Sequence, residues 1–258
     1  MHKKVLRGNL FLLYVLIFGT QAFGQWTIPW QMRSDVTLDH LVVTSGYVKP
    51  DLLFGLPMTP GSSLEHNYID RKWNNCSFLL FESEKLMEGY LAKYEITANK
   101  LEVKSKSGTK LIDISKIKSL VWLDSITNAP RYFINAKDYK EENVQVTGLL
   151  EVLVDGHMPL FAQSYLKEKE IGFFANLLSL FEKEKREKQY EINKFYYVGT
   201  GSSISKISSQ KEFLLSFGDF YWEMEEFIQQ RDLDISLQAD LQKVFEYYNA
   251  KFERLPDY

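Results

Sequence analysis

One cysteine, Cys76, in 258 residues excludes an intramolecular disulfide and any zinc site built from several thiolates. Seven prolines and 14 glycines are too few for a collagen-like or linker-rich chain. Neither sign of charge dominates: 31 basic residues stand against 34 acidic ones, a net charge of −3. The basic footprint that phosphate contacts require is missing, which argues against nucleic acid as a partner. No stretch beyond residue 24 approaches the ~18 uninterrupted apolar residues of a spanning helix, so no transmembrane span is expected in the mature chain. The sequence signatures of catalysis are absent as well: there is no H-E-x-x-H, no G-x-S-x-G, no P-loop and no Rossmann glycine pattern. No catalytic, cofactor-binding or metal-ligating set is assigned, and no cofactor is expected.

Aromatic side chains, by contrast, are plentiful: Tyr 15, Phe 18 and Trp 5. With 45% hydrophobic and 25% charged residues, the composition is that of a globular protein able to fill a core without disulfides. The length suits one large domain or two small ones.

Residues 1–24 read as a cleavable signal peptide. Lys3, Lys4 and Arg7 form a basic leader, and Leu10 to Gly19 an apolar run. Ala22 and Gly24 then place small residues ahead of a cleavage point between Gly24 and Gln25. The run is too short to span a bilayer. A lipoprotein anchor is excluded, because the only cysteine is Cys76. The leader holds three basic and no acidic residues, so its removal takes the net charge from −3 to −6. The expected location is the periplasm or the outside of the cell.

Residues 25–62 are punctuated by Pro29, Pro50, Pro57 and Pro60 and read as an extended N-terminal arm, with a short strand at Leu41 to Thr44. Trp26, Trp30, Phe54 and Leu56 would tuck over the core or dock on a partner. Residues 63–208 read as an antiparallel β domain. Tyr90, Ala92, Tyr94 and Ile96 alternate with Leu91, Lys93, Glu95 and Thr97, the period of a strand with one face buried. Further runs follow at Leu101–Val103, Lys110–Ile114, Ile117–Leu123 and Arg131–Asn135, making a meander of eight to ten short strands. Thr147–Val154 and Met158–Leu166 flank Asp155-Gly156 as a hairpin. Lys194–Val198 and Ser203–Ile207 flank a Gly199–Ser202 turn as another. Between the two hairpins, Ile171 to Phe181 is apolar on nearly every side. It reads as a loop with a helical turn, or else as a membrane or partner contact.

Residues 209–258 read as a helical segment packed on or beside the sheet. Ser209 to Glu212 fits a capping box, and Gly218-Asp219 interrupts the first helix. Ser236 would cap a final helix carrying Leu237, Leu241, Val244, Phe245 and Tyr248 on one face.

Little of this carries chemistry. Cys76 reads as a small buried hydrophobe. His40, His66 and His157 share no i, i+4 spacing, so a metal site has weak support. If the chain is an enzyme, the candidate loop is Glu65, His66 and Asp70, since two placed carboxylates suffice for glycoside hydrolysis.

Three stretches together support a resemblance: Glu88-Gly89-Tyr90-Leu91-Ala92-Lys93-Tyr94-Glu95-Ile96 with Leu101-Glu102-Val103; Gly148-Leu149-Leu150-Glu151-Val152-Leu153-Val154-Asp155-Gly156; and Phe195-Tyr196-Tyr197-Val198 ahead of Phe245-Glu246-Tyr247-Tyr248-Asn249. In order and spacing they resemble an uncharacterised family of exported β-rich proteins of Bacteroidota, over roughly residues 64–250. The resemblance implies a signal peptide, an antiparallel β body and a short helical C-terminus, and brings no activity with it. The Gly199-Thr200-Gly201 turn and the apolar Ile171–Phe181 stretch depart from the pattern.

The sequence therefore predicts an α+β fold with an antiparallel meander body and a small C-terminal helical segment. The expected function is a non-enzymatic binding or envelope-associated role toward an envelope protein, a glycan or an apolar ligand. The alternative is a carboxylate-dependent, glycosidase-like hydrolase.

Overall fold

Period-two alternation does build the body of the protein. In the computed structural model, which describes residues 27–43, 67–105, 108–124, 126–169 and 190–252, twelve strands join in one sheet. The leader with its Gly24/Gln25 cleavage point, Glu65, His66 and the Ile171–Phe181 stretch lie outside the described residues. The strands are β1 (Asn74–Leu80), β2 (Leu86–Glu95), β3 (Lys100–Ser105), β4 (Gly108–Asp113), β5 (Ile117–Leu123) and β6 (Pro130–Asn135), followed by β7 (Lys140–Glu141), β8 (Val144–Gln145), β9 (Leu149–Val154), β10 (Leu160–Glu168), β11 (Tyr190–Thr200) and β12 (Ser203–Lys206). Their spatial order is β4-β3-β2-β1-β5-β6-β9-β10-β11-β12-β7-β8. Every pairing is antiparallel except one parallel contact, Ser203 with Lys140. The short β7 and β8 carry no periodicity signal, because two residues cannot alternate.

The first half of the sheet encloses its own core. Cys76 and Phe78 of β1, Tyr90, Ala92 and Tyr94 of β2, Leu101 and Val103 of β3, Leu120 and Trp122 of β5 and Phe133 of β6 form one buried cluster. Leu149 of β9 joins it, although β2 and β9 are far apart in strand order. The link is local: Tyr94 Oη donates to Asn99 Oδ1 at 2.5 Å, and Asn99 lies against Gly148. Asn135 fastens the same end, donating from Nδ2 to the carbonyls of Ile114 (2.7 Å) and Ile117 (2.8 Å) and accepting from Lys137 N–H at 2.9 Å. Cys76 is fully buried, and burial pushes its thiol well above the ordinary range.

The residues of opposite phase face the N-terminal segment. Leu79, Val121, Ile134, Leu150, Val152, Phe161 and Tyr197 pack with Ile28, Met32 and Leu41. That segment is helical over α1 (Trp30–Arg33) and α2 (Asp35–Val43), which corrects the extended arm with a strand from Leu41. Ser34 explains the difference: its Oγ accepts from Thr37 N–H at 3.3 Å, an N-cap that starts α2 despite the prolines nearby. Met32 and Leu41 reach the core, whereas Trp30 is 71% exposed and does not tuck over it.

The C-terminal helices α3 (Gln210–Leu215), α4 (Tyr221–Gln230) and α5 (Gln238–Phe252) cover the second half of the sheet. Phe213, Phe217, Met224, Leu241, Val244, Phe245 and Tyr248 bury themselves on Val154, Leu160 and Val198. Ser209 caps α3 by accepting from Glu212 N–H at 3.3 Å. The turn before α5 is organised by Asp234, whose Oδ1 accepts from Ser236 N–H at 2.9 Å. Among the described residues no helix is long and apolar enough to cross a membrane.

Candidate functional site

Charged side chains interrupt one face of the sheet where its enclosed half gives way to the helix-covered half. On β6, Arg131 shares a face with Phe133; on β9, Glu151 shares one with Leu149. Phe133 pairs with Glu151, so Arg131 lies two residues along and reaches the carboxylate diagonally. The contact is bidentate: Arg131 Nε donates to Glu151 Oε1 at 2.7 Å and Nη2 to Oε2 at 3.0 Å. Glu151 also pairs with Ala162 of β10. The small Ala162 side chain leaves room for Lys194 of β11, one strand further, whose Nζ donates to Glu151 Oε2 at 2.9 Å.

The network extends in both directions. Arg131 Nη1 lies 3.7 Å from Asp124 Oδ2, and the guanidinium sits over the rings of Phe133 (5.3 Å) and Trp122 (5.8 Å). Lys194 Nζ donates to Gln238 Oε1 at 3.0 Å, and Gln242 Nε2 donates to the Leu153 carbonyl at 3.3 Å. Helix α5 is thereby tied to the charged patch. A cleft of about 520 Å³ opens over it, with Ile69, Pro130, Ser164 and Ile192 on its walls. That volume falls within the range of small-molecule sites.

The electrostatics are those of fixed charges. Burial favours the neutral Glu151 carboxyl, but the hydrogen bonds and charges of Arg131 and Lys194 outweigh it and hold the carboxyl below the usual range. Backbone N–H donation from Thr127, aided by Arg131, holds Asp124 low against its own partial burial. Partial burial would lower Arg131, yet Glu151, Asp124 and Asp70 hold its guanidinium above its ordinary value.

The candidate loop reaches this place through one residue. Asp70 accepts from Lys72 N–H at 2.9 Å, and its charge is felt at Arg131. Ile69 beside it lines the cleft. Glu65 and His66 lie outside the described residues. Of the other histidines, His40 Nδ1 contacts Glu88 Oε1 at 3.2 Å, on the N-terminal helices and away from the cleft. Among the described residues no group of three His, Cys, Asp or Glu is arranged to hold a metal ion.

Arg131, Glu151 and Lys194 were not singled out by sequence. One signal does mark them: Glu151 is the single charge within the otherwise apolar run Leu149–Val154, where a fully paired strand tolerates a carboxylate only with a partner. Comparison with protein-family models, curated proteins and solved structures finds no match for this chain.

Proposed function

We propose that this chain is an exported, non-enzymatic binding protein of the cell envelope or its surroundings, and that the cleft over Arg131, Glu151 and Lys194 is its ligand site. The observation that carries the reading is how the two carboxylates are held: Glu151 accepts two bonds from Arg131 and one from Lys194, and Asp124 Oδ1 accepts from the Ile126 and Thr127 N–H groups. A glycosidase needs one carboxyl protonated near neutral pH to serve as general acid. Glu151 and Asp124 are both driven the other way by hydrogen bonds and by Arg131. Polar groups that are fixed, ionised and held by their neighbours suit recognition, where preorganised donors orient a ligand without taking part in chemistry. Export rests on the signal-like leader with cleavage between Gly24 and Gln25, and membership of the exported Bacteroidota family rests on the three quoted stretches.

The test is purification of the mature protein from the envelope under gentle conditions, followed by mass spectrometry of the chain and of what travels with it. A chain beginning at Gln25 with a reproducible stoichiometric companion is the expected outcome. A chain that keeps residues 1–24 in the cytoplasm defeats the export reading. Turnover of glycoside substrates that is lost in Glu151→Gln defeats the non-enzymatic one.

A further inference from the structure

The charge arrangement in the cleft narrows the ligand class. Two cations, Arg131 and Lys194, and two carboxylates, Glu151 and Asp124, stand within a few ångströms of one another, with the charge of Asp70 felt at Arg131 beyond them. An anionic ligand would meet Glu151 and Asp124; a cationic one would meet Arg131 and Lys194. Each would meet a like charge beside the opposite one, and an uncharged ligand meets no such repulsion.

Unused hydrogen-bonding capacity of both kinds lines the cleft. Arg131 has five N–H groups, of which two are spent on Glu151. Lys194 has three, one on Glu151 and one on Gln238. The Gln238 and Gln242 amides each donate once, to Gln242 Oε1 at 3.4 Å and to the Leu153 carbonyl at 3.3 Å, leaving one N–H apiece. Acceptor capacity is left on Asp124 Oδ2, which makes the long contact to Arg131, on the second lone pairs of the Gln238 and Gln242 carbonyls, and on the Ser164 hydroxyl. A ligand matching this set offers acceptors and donors together and carries no charge. Hydroxyl groups supply both roles from one atom. Ile69, Pro130 and Ile192 give it apolar wall on the remaining sides.

From this we infer that the cleft takes a neutral, hydroxyl-rich ligand, a carbohydrate without carboxylate or amino groups. The inference rests on the binding reading above. Its test uses protein exported by cells expressing the full chain, titrated calorimetrically with cellobiose, maltose and lactose, and with glucuronate and glucosamine as charged counterparts. The expected result is saturable binding of at least one neutral disaccharide, stronger than that of either charged sugar and weakened about tenfold or more in Gln238→Ala/Gln242→Ala, measured below the variant's thermal midpoint where its circular dichroism matches the parent. Tighter binding of glucuronate or glucosamine overturns the carbohydrate class proposed and leaves the binding reading standing. Absence of saturable binding to every neutral sugar, or unaltered binding in the double variant, also overturns it. Release of monosaccharide from a bound disaccharide supports the ligand class while defeating the non-enzymatic reading.

Discussion

Asn249 and Met158, 91 residues apart, are joined by a reciprocal pair of hydrogen bonds. Asn249 Oδ1 accepts from Met158 N–H at 2.9 Å, and Asn249 Nδ2 donates to the Met158 carbonyl at 3.0 Å. Both residues are buried. A side chain of α5 thus pairs with the β9–β10 connection as a neighbouring strand would, and fixes the helix onto the sheet.

Asn249→Leu keeps the bulk of the side chain and removes both partners of Met158. An orphaned buried backbone group costs about 1–3 kcal/mol, so the variant should lose roughly that amount or more. The check is the urea midpoint. Gly156, at φ +144°, should respond in parallel, because a Cβ there would stand 2.8 Å from Asn249 Cγ. Gly156→Ala that leaves the midpoint unchanged would show that the pairing does not hold the helix.

Gly199 is required for space rather than for its backbone angle. A Cβ on it would lie 2.7 Å from both the Phe161 ring and Pro159 Cγ. Gly199→Ala should therefore cost about 1–3 kcal/mol by overpacking. Gly201, in the same hairpin, has φ +58° and open space around it, so its alanine variant pays only for conformation, about 1 kcal/mol. Thermal melts of the two variants should rank Gly199→Ala as the less stable.

These hairpin details show how far the sequence could be read. The alternation of Tyr90, Ala92 and Tyr94 located β2, and the capping box at Ser209 located α3, because both signals are local. The α+β class with an antiparallel body follows from such signals alone. Asp155-Gly156 was legible as a connection but not as its true form. Leu160 pairs with Val154, so five residues intervene, and Asp155 turns away to accept from Thr27 and Ile28 N–H at 2.9 and 3.3 Å. The helices at Trp30 and Asp35 were hidden by the surrounding prolines, and their burial depends on Val121 and Phe161 far along the chain. The cleft was the least legible feature. Arg131, Glu151 and Lys194 lie on three different strands, and only the strand order brings them together.

Cys76 should be chemically silent in the native protein. It is fully buried among Phe78, Tyr90 and Trp122, and burial raises its thiol pKa, so thiolate is scarce at pH 8. A chromogenic disulfide reagent should find no reactive thiol in native protein and one equivalent in denatured protein. Rapid labelling of the native chain would contradict the closed packing of the first half of the sheet.

Glu151 should govern much of the acid sensitivity. Its carboxyl is held below the unfolded value, so the folded state binds the proton less readily than the unfolded one. The stability it contributes is fully present above the unfolded pKa, about 4.3, and is lost as pH falls through the lower folded value. Urea denaturation between pH 7 and pH 3 should show that loss. In Glu151→Gln the pH dependence should be shallower, because the titrating group is gone. The same variant should be about 1–3 kcal/mol less stable at pH 7, since the partly buried Arg131 loses its charged bidentate partner. Lys194→Met should cost less, because Arg131 still satisfies both carboxylate oxygens and Glu151 keeps its charge. Equal losses from the two variants would mean that the patch depends on its net charge rather than on the Arg131–Glu151 geometry, and the fixed recognition surface proposed for the cleft would lose its physical basis.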